Sequence, residues 1–522
     1  MAAMPVSCDR GSVAAGREGE RMDASPGRAA VEGIIADVTG GRVDPVDVTT
    51  ESLDRCRASH ASLNALVQQR GAEAIAEASV VGRAPSGPLA GVPVSVKECF
   101  AVRGLRTTLG IPARASILDR HDSGIVTRLR AAGAVIIGKG NVPQAMYLHE
   151  TDNPVWGRTF HPTHVDRGPG GSSGGDAALV AAGCVPLAVG SDLAGSIRQP
   201  AHACGIVGIL PRAETLGSGG GFETMPGLVG QRSRVGLLAR TVADAATGLH
   251  GLCGAPAVAA PAIDRLRVAW WDEAGPLCPS PAIRRAVAVA VERLAAAGAA
   301  VERLDGEVAA EAAWVHLGLI SADGGGDIRR LFTGSRPTAQ VRRLLSLARI
   351  PPWARGLVAG ACVWGGRRLE AKALRYTGPR RGAALGTLLS RREAIDEAVG
   401  RWAGAYDCIV CPVSAIPALR HGTAARLLLA ASPCLAANLL DLAAGTVPVS
   451  RVRADEESGR PRSSDPVEIA ALEGDRGSVG LPVGVQVIAL DRRPGTAEAI
   501  VLEAMRAIAA VESERVISPI AG

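Results

Sequence analysis

The chain has 522 residues, 47% of them hydrophobic but only 3% aromatic. That is ample for a large core, in which Ala, Val, Leu and Gly must do most of the packing. The formal charge of +6, from 57 basic and 51 acidic residues, is too slight to mark a nucleic-acid binder.

In chain order, residues 1–28 read as a disordered tail rich in Gly, Ala, Ser, Arg and Glu, with no apolar core of a signal peptide. Residues 29–522 read as a single domain. Helices are expected over Ala29 to Val38 and through Ser52 to Ala78, followed by a turn at Pro85 to Pro88. Val92 to Val96 is a short β-branched strand that Lys97 terminates. A helix over Ser123 to Ala132 then leads into a glycine-bounded buried strand, Gly133 to Gly138.

The alternation continues. Asp176 to Ala182 reads as helix, with strands at Val185 to Val189 and Leu266 to Trp271. Pro281 to Ala297 carries Ile283, Val287, Val291 and Leu294 at helical spacing, ahead of a strand at Ala300 to Leu304. Late strands fall at Cys408 to Val410 and Leu481 to Ala489, with a core helix across Leu427 to Gly445. Such alternation predicts an α/β sheet layered with helices.

Eleven cysteines without a pairing framework favour free thiols and a reducing, cytoplasmic setting; Cys408 and Cys411 read as buried strand thiols. No H-E-x-x-H occurs, so no metal is expected. No apolar run reaches the roughly 18 residues of a membrane span.

One segment departs from this pattern. Ile328 to Arg381 holds twelve Arg and one Lys against a single acid, Glu370. Within it Trp353, Leu357, Ala361 and Trp364 share one helical stripe, with Arg355 on the far side. A helix resting on an anionic membrane surface and a solvated helical cap both fit this pattern.

Three local signals carry chemistry. Ser196 ends the turn Asp192-Leu193-Ala194-Gly195-Ser196, where successive N–H groups can converge on one oxygen. Asp192 and Arg198 flank it with opposite charges able to stiffen the turn. Gly170 to Gly175 brackets Ser172 and Ser173 with four glycines, compatible with a linker, a helix N-cap or a close-approach site. Lys97 closes an apolar run, either as a snorkelling surface lysine or as a buried amine whose lowered pKa makes it a base. Together these suggest acyl transfer on serine with lysine, not histidine, taking the proton; His149, His161, His164 and His202 show no triad pattern.

At these residues the chain resembles the amidase signature family. The match runs through Gly91-Val92-Pro93-Val94-Ser95-Val96-Lys97, Gly138-Lys139-Gly140-Asn141, Pro169 to Gly175, and Gly195-Ser196-Ile197-Arg198-Gln199-Pro200-Ala201. It extends to Gly236 to Asp244 and Gly480 to Gln486. Within that family it is most similar to the fatty acid amide hydrolases, at Asn141 to Met146, Ala322 to Gly325, Ile350 to Leu357 and Ala443 to Val449.

The resemblance implies an α/β amidase-signature fold: a large twisted mixed β-sheet covered by helices on both faces, with a helical cap inserted at about 325–385. It implies hydrolysis of a small-molecule carboxylic amide, a fatty acid amide or another hydrophobic amide, with no cofactor. Ser196 would be the nucleophile, Ser172 on a cis Gly171–Ser172 bond the shuttle, and Lys97 the base. The N–H groups of Leu193, Ala194, Gly195 and Ser196 would hold the oxyanion. Met146 and Tyr147 would line the substrate channel, with Ser173, Ser191, Asp192 and Arg198 in support.

Three departures stand out: Ala194 replaces a commoner glycine, Ile209-Leu210-Pro211-Arg212 lacks the usual lysine before proline, and the cap carries arginines and glycines where the animal enzymes are more apolar. The cap implies peripheral contact with anionic membrane, and a homodimer is left open. A broad small-amide amidase and the glutaminase subunit of a tRNA amidotransferase are the enzymatic alternatives; a degenerate membrane-surface binding protein is the non-enzymatic one.

Overall fold

Short β-branched runs bounded by glycine or proline form most of the strands, and the helices between them bury one apolar face each. The computed structural model describes residues 30–254, 258–273 and 275–510; the expected tail lies outside the described residues. In chain order the strands are β1 (Leu66–Gln69), β2 (Pro93–Lys97), β3 (Val135–Gly140), β4 (Asp152–Asn153), β5 (Gly157–Arg158), β6 (Leu187–Asp192), β7 (Val207–Leu210), β8 (Arg234–Ala239), β9 (Arg267–Trp270), β10 (Ala300–Arg303), β11 (Cys408–Pro412), β12 (Ala444–Arg451) and β13 (Pro482–Ala489).

Eleven strands make one mixed sheet, ordered β1-β3-β2-β6-β8-β7-β12-β13-β11-β9-β10, and β4 pairs with β5 apart from it. Strand β2 runs parallel to both β3 and β6, whereas β6–β8, β7–β8 and β12–β13 are antiparallel. Strands β2, β6, β8 and β13 are buried along their whole length, as expected where helices cover both faces.

Local signals account for several helices. Asp44 caps Pro45–Leu63 by accepting the Val46 N–H, with Pro45 preset at the first helical position. Ser280 caps Pro281–Ala296, whose Ile283, Val287, Val291 and Leu294 are buried as their spacing predicts.

The run Ser52 to Ala78 is not all helix. Leu63 ends one helix, β1 follows, and a second helix spans Gly71–Arg83. Leu66 and Val67 fit a helical stripe equally well; the Asn64 cap in the left-handed region and pairing with β3 make them a strand. Leu427 to Gly445 likewise resolves into short helices, Leu428–Cys434 and Leu435–Leu439, before β12. Pro433 removes a backbone donor there, which shortens the first of them.

The basic segment folds as four helices, Gly326–Leu331, Ala339–Ala348, Pro352–Trp364 and Arg368–Tyr376. Gly356 and Gly360 each cost Pro352–Trp364 about 1 kcal/mol of helix propensity relative to alanine. Two contacts offset this. Buried Ala359 packs with Ala371 and Leu374, and Arg355 donates to the carbonyls of Leu347, Ile350, Leu374 and Thr377. Arg355 thus faces inward, while Trp353, Leu357 and Trp364 are 78%, 73% and 95% exposed.

Candidate active site

Strands β2 and β6 are parallel neighbours in register, Val96 opposite Val189, so their carboxyl ends lie side by side. Lys97 ends the first, and Ser191 and Asp192 end the second. Crevices beyond the carboxyl ends of parallel strands are where α/β sheets place ligands.

Lys97 is fully buried. Its Nζ lies 2.7 Å from Ser172 Oγ, 2.9 Å from Ser191 O and 2.9 Å from Ser191 Oγ. Burial lowers its pKa, opposed by the charges of Cys99, Asp176 and Asp192. The three oxygens suit both protonation states: an ammonium donates to all three, and a neutral amine donates to the two Ser191 oxygens and accepts from the Ser172 hydroxyl.

Ser172 follows a cis peptide bond to Gly171 and opens onto the helix Gly174–Ala181. The glycines here permit close approach: a Cβ on Gly175 would come within 2.1 Å of Asn141 N. Gln199 Oε1 accepts the Gly171 N–H at 3.0 Å, and Thr151 Oγ1 donates to Gly170 O at 2.8 Å. Ser173 N–H donates to Ser196 O at 3.1 Å, tying the two serine turns together. Ser172 Oγ and Ser196 Oγ are not hydrogen-bonded to each other.

The second turn is organised around Asp192. Its carboxylate accepts the N–H of Gly195 at 2.7 Å and of Ile197 at 3.1 Å. Arg198 pairs with it at 3.1 Å, and Asn438 Nδ2 donates to it at 2.9 Å. Burial opposes ionisation of Asp192, but the Arg198 charge and these hydrogen bonds outweigh it and hold the carboxyl well below the usual range. A buried pair needs every remaining donor engaged, and Arg198 also donates to Cys434 O, Gln486 Oε1 and Asn438 Oδ1.

This arrangement sorts the expected oxyanion donors. Gly195 N–H is committed to Asp192, whereas the N–H groups of Leu193, Ala194 and Ser196 take no acceptor in the turn. Gly195 has φ +92°, and a Cβ there would approach Cys434 Cβ to 2.9 Å, so this glycine is required. Ala194 is not among the residues with positive φ, so its methyl introduces no strain.

Above the serines lies a cavity of about 230 Å³. Lys97, Ser172, Ser191, Leu193, Ala194, Ser196, Met146 and Tyr147 all line it; Ser173, Gly195, Asp192 and Arg198 sit behind its wall. Ala145 and Met146 are left-handed, at φ +56° and +54°, a costly conformation for residues with a Cβ, and the rim of a site is where such strain collects. Burial raises the Tyr147 hydroxyl to about 12.

The histidines divide. His202 is buried between Gly484 and Ile416 O, and His161 bonds Ala203 O, both off the cavity. His149, without any pattern in sequence, lines the cavity with Nε2 3.0 Å from Ala194 O. Only the path of the loop after Met146 brings it there. Cys408 and Cys411 are buried in β11, burial raising both thiols. No group of side chains among the described residues could hold a metal.

The Amidase family profile matches residues 47–494. Fatty-acid amide hydrolase 1 of Sus scrofa is 31% identical over 467 residues, 85% of this chain and 78% of that protein. A Glutamyl-tRNA(Gln) amidotransferase subunit of Deinococcus radiodurans is 30% identical over 477 residues, 87% and 92% of the two chains. A solved fatty acid amide hydrolase superposes with TM-score 0.78 at 21% identity, over 93% of this chain and 85% of that one. With the sheet, its helical layers and the profile in agreement, the chain belongs to the amidase signature family and is an amide hydrolase.

Proposed function

We propose that the protein hydrolyses hydrophobic amides, fatty acid amides among them, through an acyl-enzyme on Ser196. The observation that carries this reading is the buried Lys97 amine, 2.7 Å from Ser172 Oγ on the floor of the cavity that Ser196 lines. Ser196 gives its proton to Ser172 as it attacks the carbonyl carbon, and Ser172 passes its own proton to Lys97. The relay requires the two serine hydroxyls to come within hydrogen-bond distance when substrate is bound. The negative oxygen is held by the free N–H groups of the turn. The C–N bond then breaks, the proton returns through Ser172 to the leaving amine, and water releases the acid.

The apolar wall supports a hydrophobic acyl group. Leu193, Leu317, Ile320, Leu344, Leu428 and Leu435 face the cavity, and Leu317 and Ile320 belong to the helix leading into segment 325–385. In this reading 29–522 is one amidase domain and that segment its cap. The exposed Trp353, Leu357 and Trp364, on a strongly basic segment, suit peripheral contact with an anionic membrane. No helix among the described residues is long and apolar enough to cross a membrane.

A panel of amides graded by acyl length, with mass-spectrometric mapping of a fluorophosphonate adduct, tests the proposal. We expect the adduct on Ser196 and kcat/KM rising with acyl length. An adduct on another serine sinks the mechanism, and indifference to chain length leaves a broad small-amide amidase. The near-full-length likeness to an amidotransferase component makes glutamine the necessary control substrate.

A further inference from the structure

His149 belongs to none of the roles assigned so far, yet it touches the part of the site on which the chemistry depends. Its segment is anchored on both sides. Thr151 donates to Gly170 O, and Glu150 accepts from Gly422 N–H at 2.6 Å and from Gln340 Nε2 at 2.9 Å. Its backbone packs directly on Gly171, where a Cβ would come within 3.2 Å of the His149 carbonyl carbon. The ring then reaches across to the opposite turn, with Nε2 3.0 Å from Ala194 O.

A carbonyl oxygen only accepts, so the imidazole must carry its proton on Nε2 and donate. Burial lowers the ring's pKa and favours the neutral form, with the Ala194 bond and Asp192 acting against it and Lys97 and Arg198 with it. The peptide between Ala194 and Gly195 is therefore pinned at both ends: its C=O by His149, its N–H by Asp192 at 2.7 Å. Gly195 at φ +92° has no Cβ to oppose a flip of that peptide. The peptides on either side carry the Ala194 and Ser196 N–H groups, so loosening this one loosens the aim of those donors.

We propose that His149 is a positioning residue: by donating Nε2–H to the Ala194 carbonyl it holds the oxyanion turn in one conformation. The inference rests on Ser196 as nucleophile. His149 does not exchange protons with substrate; it acts through the turn.

The test compares His149→Met with His149→Gln. Both fill similar space, but only glutamine supplies a donor where Nε2 sits. Fluorophosphonate labelling of Ser196 and kcat should fall about tenfold in His149→Met, with KM within about twofold, and His149→Gln should stay within about threefold of wild type. Unchanged rates in His149→Met, equal losses in both variants, or an effect on KM alone overturn the inference. Wild-type labelling at a serine other than Ser196 overturns this inference and the proposed mechanism together, whereas normal labelling at Ser196 that His149→Met leaves untouched overturns this inference alone. Should His149→Met not fold, imidazole ¹⁵N spectra of the wild-type protein decide: Nε2 protonated is expected, and an Nδ1-protonated ring overturns it.

Discussion

The cavity floor and the basic segment handle charge in opposite ways. At the floor and just behind the wall, the Lys97 amine and the Asp192–Arg198 ion pair are buried, and each group is committed to several named partners. In the segment, Arg355 alone of the twelve arginines is buried, while Trp353 and Trp364 stand in solvent. Burying a charge fixes geometry, because each lost water must be replaced by a placed donor or acceptor. Exposing charge and aromatic surface leaves geometry loose but keeps the surface available to an outside phase. The floor is built for one arrangement of atoms; in the proposed reading the segment is a surface for contact.

Substitutions can break that contrast, and the largest effects belong to the floor. Ser196→Ala should lower kcat by at least about 10⁴-fold with the fold intact by circular dichroism. Lys97→Met should cost roughly 10³-fold, the middle of what a general base contributes. Asp192→Ala leaves Arg198 buried without its partner, and urea unfolding should show a loss of about 3–5 kcal/mol. A smaller loss would mean that Asn438 and Gln486 alone can hold the arginine.

The pH dependence sharpens the same point. In the proposed relay Lys97 is a base only when neutral, so kcat/KM should fall about tenfold per unit as pH drops below its lowered pKa. Stability follows the same sign. Between that pKa and the ordinary 10.5, the unfolded chain binds the proton that the folded amine refuses, so stability rises with pH across this window. Lys97→Met should lose that slope in a pH series of thermal melts.

In the segment the solution effect should be smallest. The pair Trp353→Ser and Trp364→Ser should change stability by no more than about 0.5 kcal/mol and leave turnover of a short soluble amide unaltered. Flotation with anionic vesicles should be lost. If the pair instead slows soluble turnover, the segment is part of the site and the contrast with the floor fails.

Much of the fold was legible because strands β2, β3, β6, β9, β11 and β13 are compact apolar runs with clear breakers. β1 was not, since Leu66 and Val67 satisfy a helical period as well as an extended one. β7, β8 and β12 went unread because glycine, arginine or proline interrupts runs whose pairing partners lie far along the chain. In the site, Lys97, Ser172 and Ser196 were legible from glycine spacing and a terminating lysine. The Gly195 N–H, one of the expected oxyanion donors, bonds Asp192, a contact that local spacing does not reveal. His149 had no signal at all.

By itself the sequence determined which residues could do chemistry and that one segment would be basic, since both follow from residue type and local spacing. Only the tertiary structure decided whether Lys97 is a buried amine or a surface one. It also decided which N–H groups remain free, and that the tryptophan stripe faces out while Arg355 faces in. Residue type sets what a group can do, but its pKa and its partners come from desolvation and from contacts that sequence distance does not encode.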